Sequence, residues 1–112
     1  MKIHVALAVF EGAEPKLLDD RAAIERCLRA GVEAGSFSLR ELVAVKFDPQ
    51  GVTGTAVVGE SHLSIHTWPE EGRAFVDVAS CKDREGVRRA VAAMLEVFPG
   101  ARLAQLDERE LG

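Results

Sequence analysis

A chain of 112 residues has room for one hydrophobic core and one domain. Its formal net charge of -4, with 14 Lys and Arg interspersed among 18 Asp and Glu, leaves no basic stripe for a nucleic acid and no polybasic anchor for a membrane. The apolar run from Ile3 to Phe10 is too short to cross a bilayer and lacks a small-residue cleavage site, so a cytoplasmic protein is expected.

In chain order, Ile3, Val5, Leu7 and Val9 alternate with His4, Ala6, Ala8 and Phe10, the pattern of a strand inside a sheet. Glu11 to Glu14 form a turn, and Pro15 suits a first helical turn. Ile24, Cys27, Leu28, Gly31 and Ala34 then recur at helical spacing until Gly35 ends the helix. Cys27 falls on that apolar stripe and is expected as a core thiol. Leu39 to Phe47 predicts a second strand, with Val43, Val45 and Phe47 on one face. Asp48-Pro49-Gln50-Gly51 is turn chemistry, and Val52 to Val58 predicts a third strand leading into the segment 59–70. There Gly54 and Gly59 mark bulges or close approaches to the backbone.

Pro69 to Gly72 turn the chain, and Ala74, Val76 and Val78 alternate with Phe75, Asp77 and Ala79 in a strand that delivers Cys81 at its end. Asp83 is a candidate N-cap. Val87, Ala90, Val91, Met94, Leu95 and Phe98 repeat at three and four, and Pro99-Gly100 closes that helix. Arg102 to Leu106 predicts a last strand before a charged tail. The order β-α-β-β-α-β, with two or three strands between the helices, predicts a two-layer α/β (α+β) sandwich: a mainly antiparallel sheet with two helices on one face. No third helix remains for the other face, so a homodimer is expected to cover it.

The segment Gly59-Glu60-Ser61-His62-Leu63-Ser64-Ile65-His66-Thr67-Trp68-Pro69-Glu70 concentrates the chemistry. Leu63 and Ile65 point one way along a strand; His62, Ser64 and His66 point the other. Ser61 has no GxSxG elbow, which argues against a hydrolase triad. Its hydroxyl can instead attack the preceding carbonyl of Glu60, exchanging amide for ester, provided the peptide is strained and the oxyanion held. From the serine alone, an ordinary turn residue is the simpler reading. His66 suits a general base if the strand folds back towards the serine. Its bland counterpart is a buried histidine bonded to backbone. His62, His66 and Cys81 are too few for a structural zinc site, and no metal is expected. Neither cysteine belongs to a CxxC pair or disulfide framework, so both are expected free. Trp68 and Phe47 are commonly core residues, and Glu70 and Asp77 commonly surface or turn residues.

Glu60-Ser61-His62 running on to His66-Thr67-Trp68-Pro69-Glu70, preceded by Phe47-Asp48-Pro49-Gln50-Gly51-Val52-Thr53-Gly54 and followed by Val76-Asp77-Val78 and Cys81, resembles the prokaryotic S-adenosylmethionine decarboxylases. Leu17-Leu18-Asp19-Asp20 is similar to the start of that family's first helix. The resemblance implies a proenzyme that cleaves itself at Glu60-Ser61 into a β chain of residues 1–60 and an α chain of residues 61–112. Ser61 would become a covalent pyruvoyl group, the only cofactor, which forms a Schiff base with the substrate amine. It implies His66 as the processing base and Thr53 where a processing serine is usual. Cys81 would be the proton donor to the product carbon, while Phe47 stacks on adenine and Glu70 holds the ribose. The substrate implied is S-adenosylmethionine, the product the aminopropyl donor for spermidine, and the sites lie at a homodimer interface.

The chain departs from the family pattern in three places. Glu71, Gly72 and Arg73 stand where an aromatic commonly follows the Pro-Glu pair, Lys82 replaces a glycine after Cys81, and Lys2-Ile3-His4 lacks the usual glycine. Relatives on this fold decarboxylate L-ornithine or L-arginine, and Glu71 near the site would favour such basic side chains. A non-catalytic paralogue that regulates a partner is a third reading, disfavoured by the presence of Ser61, His66 and Cys81 together.

Overall fold

Alternation along the inner strands sets which of their faces is buried, and the computed structural model, which describes residues 1–112, follows it, whereas the edge strand Arg102–Leu111 is exposed throughout its length. The strands are β1 (Ile3–Glu11), β2 (Glu41–Lys46), β3 (Val52–Val58), β4 (Ser61–Trp68), β5 (Arg73–Ser80) and β6 (Arg102–Leu111). They form one six-stranded sheet in the order β2-β3-β4-β5-β1-β6, antiparallel throughout. Three helices, α1 (Pro15–Leu18), α2 (Arg21–Ala34) and α3 (Arg84–Glu96), complete the chain, with a single 3₁₀ turn at Pro69–Glu71. No helix is long and apolar enough to cross a membrane.

The core lies between the sheet and the α2–α3 pair. Ala6, Ala8 and Phe10 of β1, Leu63 and Ile65 of β4, and Val76 and Val78 of β5 meet Ile24, Cys27 and Leu28 of α2 and Val87, Ala90 and Met94 of α3, with Phe98 closing one end. Each large side chain sealed this way contributes about 1.5–3 kcal/mol. Two glycines let α2 sit close: a Cβ on Gly31 would stand 2.7 Å from Leu63 Cδ2, and one on Gly54 would stand 2.8 Å from Leu28 Cδ1. Cys27 is fully buried, its thiol donating to the Met94 carbonyl at 3.6 Å. Burial pushes that thiol up to about 12, so it is an inert core residue.

The helix ends are satisfied locally. Asp20 accepts from the Ala22 N–H at 3.1 Å, and Asp83 accepts from the Gly86 N–H. At the C-terminal end of α2, Arg89 Nε donates to the Ala34 carbonyl at 2.9 Å and Lys82 Nζ to the Ser36 carbonyl at 2.7 Å.

The elements differ from the sequence reading in several places. The first helix is two, because Asp19 turns aside to accept from the Gly51 N–H at 2.8 Å and pair with Lys46 at 3.0 Å, and Asp20 then caps a new start. Four strands separate α2 from α3, because residues 59–60 reverse the chain and make β3 and β4 a hairpin. The second strand is shorter than 39–47. The last is longer than 102–106: the expected tail pairs with β1 as far as Leu111. Its charges find partners, Arg88 Nε with Glu108 at 2.7 Å and Lys2 Nζ with Glu110 at 3.2 Å, and a charged edge strand resists pairing with other chains.

The helices cover only one face of the sheet. On the other, Val43 (51% exposed), Val45 (46%) and Val57 (40%) stand open beside a band of polar side chains.

Candidate active site

Gly59 and Glu60 are the two central residues of the β3–β4 hairpin, between the paired Val58 and Ser61. Glycine at the first of these positions, here with φ +65°, is what a tight hairpin requires. The Glu60-Ser61 peptide is therefore held at a turn tip and open to approach. Cys81, one residue beyond β5, lies beside it, its N–H 3.4 Å from Ser61 Oγ. Ser61, His62 and Cys81 share a recess of about 240 Å³ with Met1, Ile3 and Glu60. Cys81 is exposed, in contrast to Cys27.

A second group forms at the opposite end of β4. Thr53 on β3 is registered with His66, and Thr53 Oγ1 is 3.1 Å from His66 Nδ1. The imidazole also stacks on Phe75, with ring centroids 6.2 Å apart and planes at 23°. Phe47 just beyond β2 and Glu70 in the 3₁₀ turn lie towards this same end of the sheet, both exposed. Phe47 and Trp68 are 48% and 43% exposed and belong to the open face and rim, not to the core the sequence suggested.

The two groups do not meet within one chain. Ser61 and His66 are five residues apart on an unbroken strand, about 16 Å at ~3.3 Å per residue. The strand does not fold back, so the expectation that His66 reaches its own chain's serine fails on geometry. Regular pairing with both neighbours, His62 to His66 against Ala79 to Phe75 on one side and Val57 to Thr53 on the other, keeps it straight. The structure thus brings Glu60, Ser61 and Cys81 together, and Thr53 with His66, but separates the two sets.

Between them runs a row that sequence reasoning missed. Ser64 and Asp77 are registered partners, and Ser64 Oγ donates to Asp77 Oδ1. His62 Nε2 lies 3.5 Å from the same oxygen. Asp77 is therefore a strand residue engaged on the open face, not a turn acid. His62 and His66 flank Ser64 two rows apart, and Cys81 sits by the first alone, which leaves no three-ligand cluster for a metal. Glu71, the acid offered as a basic side chain's partner, lies 3.5 Å from Arg73 Nη1; Arg73 Nε in turn lies 3.3 Å from Glu11.

The family model described as S-adenosylmethionine decarboxylase matches residues 4–107. The chain is 38% identical over 101 residues to the S-adenosylmethionine decarboxylase proenzyme of Parasynechococcus marenigrum, covering 90% of this chain and 78% of that one. To the proenzyme of the same name from Moorella thermoacetica it is 42% identical over 99 residues, covering 88% and 78%. The crystal structure of the adenosylmethionine decarboxylase from Aquifex aeolicus superposes with a TM-score of 0.82 at 26% identity, over 99% of this chain and 88% of that one. The family model over residues 4–107 and relatives 38% and 42% identical along most of the chain place it in the S-adenosylmethionine decarboxylase family.

Proposed function

We propose that this protein is a self-processing, pyruvoyl-dependent S-adenosylmethionine decarboxylase working as a homodimer. The observation that carries the reading is the division of the site: the cleavable bond and Cys81 at one end of β4, and Thr53 with His66 at the other. In this dimer the open faces pack about a two-fold axis, which brings the Ser61 end of one chain's β4 to the His66 end of the partner's β4 and covers the exposed Val43, Val45 and Val57.

In processing, Ser61 Oγ attacks the Glu60 carbonyl and the amide becomes an ester. His66 of the partner subunit, oriented by its hydroxyl neighbour, takes the α-proton of residue 61, and the Glu60 carboxylate leaves. The resulting dehydroalanine takes up water and releases ammonia. This gives chains 1–60 and 61–112 and a pyruvoyl group at residue 61.

When formed, the pyruvoyl group supplies an electron-withdrawing carbonyl that receives the electron pair freed by loss of carbon dioxide, so no separate cofactor is needed. Around it, Cys81 holds the proton for the substrate's α-carbon. Phe47 offers an exposed ring to adenine, and Glu70 a two-oxygen acceptor to the ribose hydroxyls. Glu71 lies against Arg73 and so is not the free acid that a basic side chain would need, which supports S-adenosylmethionine over ornithine or arginine.

The test is a denaturing intact-mass spectrum after incubation with S-adenosylmethionine, ornithine or arginine in turn, with cyanoborohydride to fix any amine captured. Two fragments parting at Glu60-Ser61, with S-adenosylmethionine alone retained on the 61–112 fragment, is the expected result. Capture of ornithine or arginine instead would reassign the substrate. A single uncleaved chain would overturn the enzyme reading in favour of a regulatory paralogue.

A further inference from the structure

Cleavage at Glu60-Ser61 creates a mechanical problem. Before it, residue 61 is tied on both sides: by the Gly59-Glu60 turn and its pairing with Val58, and by the rest of β4. After it, residue 61 is a chain end, and its orientation depends on how firmly residue 62 is held. A reacting carbonyl misplaced by about 1 Å costs on the order of 100-fold in rate. The fold must therefore hold residue 62 by something that survives the cut.

We infer that His62, gripped by Asp77, which Ser64 fixes in turn, is the anchor that keeps the newly cut end of β4 in register and aims residue 61 at Cys81. The inference rests on the function proposed above. Its basis is the open-face row: Ser64 Oγ donates to Asp77 Oδ1, and His62 Nε2 lies 3.5 Å from that oxygen. All three residues belong to β4 and β5, the pair that remains joined when the β3–β4 hairpin is severed. Ser64 is buried and the Asp77 side chain is 28% exposed, while the His62 side chain, 45% exposed, comes within 3.5 Å of Asp77 from the solvent side. The backbone of His62 stays paired with Val57 and Ala79 after the cut, but of the side-chain contacts at residue 61 itself, Ser61 Oγ, which accepts from the Cys81 N–H at 3.4 Å, is consumed in processing. His62, Asp77 and Ser64 are positioning residues, since none is required to touch the substrate.

The test compares His62→Ala, Asp77→Asn and His62→Gln in the full-length protein, each also in an uncleavable Ser61→Ala background. Self-cleavage is followed by intact mass, amide hydrogen exchange of residues 62–66 by fragment mass spectrometry, and turnover of S-adenosylmethionine by kinetics. His62→Ala and Asp77→Asn are expected to cleave at near the unaltered rate. Once cleaved, they should exchange about tenfold faster over 62–66, the loss expected for a charge-assisted contact. Their kcat should fall about 10- to 100-fold with KM little changed. His62→Gln, which keeps a donor for Asp77, should recover most of both. In the Ser61→Ala background the same substitutions should leave exchange unchanged, because the intact turn still holds the strand. Equal loosening before and after cleavage, or failure of the variants to cleave, would overturn the anchor role. So would cleaved variants with unaltered exchange and kcat. Absence of cleavage in the unaltered protein would instead overturn the decarboxylase reading itself.

Discussion

Thr53 bonds His66 through a hydroxyl, and the methyl it carries relative to serine does not prevent the 3.1 Å contact. If that hydroxyl orients the base, Thr53→Val, nearly isosteric, should slow self-cleavage markedly while Thr53→Ser leaves it within a few-fold. His66→Ala should slow it about 10²- to 10⁴-fold, the range a positioned general base supplies. Time-resolved intact mass reads all three. The two thiols separate as cleanly: Cys27, fully buried with its thiol pushed up to about 12, should resist iodoacetamide in the folded protein, while exposed Cys81 is alkylated. At this scale the sequence singled out Ser61 and His66 within one short stretch and Cys81 twenty residues after Ser61, and the fold places Cys81 beside Ser61. The His62–Asp77–Ser64 row was not legible. Asp77 is 13 residues from Ser64, and only the antiparallel register of β4 with β5 puts them opposite each other.

Among the elements, period-two alternation revealed the strands, and period 3.6 revealed α2 and α3, because each buries a single face. The boundaries that escaped were those set by distant partners. Asp19 breaks the first helix only because Gly51 and Lys46, some thirty residues on, occupy its carboxylate. That clasp has a pH signature. The Gly51 N–H, and then Lys46, hold the Asp19 carboxyl below its ordinary value of 3.8. Its folded pKa is thus depressed, so its contribution is complete above the unfolded value and is lost as pH falls through the folded one. Asp19→Asn should therefore lower the melting temperature by a constant amount near neutrality, and the gap from the unaltered protein should close as pH drops below 3.8; thermal melts across the acid range check this. Where α2 meets the sheet, Gly31→Val should destabilise by about 1–3 kcal/mol through overpacking against Leu63 and Met94, read by urea titration.

For the whole molecule, the Ser61–Cys81 group and the Thr53–His66 pair lie towards opposite ends of β4. β4 is straight because it is paired on both sides, and a straight strand of eight residues cannot bring its first residue to its sixth. In the proposed dimer, self-cleavage is therefore a property of the pair, a consequence that mixed dimers expose. Ser61→Ala chains keep the base but have no serine; His66→Ala chains keep the serine but have no base, and neither homodimer should cleave at an appreciable rate. In a heterodimer, the partner's His66 faces an intact Ser61 at one site, and the other site lacks both. Random mixing of equal amounts puts about half of the His66→Ala chains in heterodimers, so about half of them should be cut, and no Ser61→Ala chain should be. Denaturing mass spectrometry distinguishes the two chains directly. If the His66→Ala chains stay whole after mixing, the base does not come from the partner and the composite site is wrong. If about half are cut, Val45→Arg on the His66→Ala chain should abolish the rescue, because a charge buried without a partner in the open face would keep the two sheets apart.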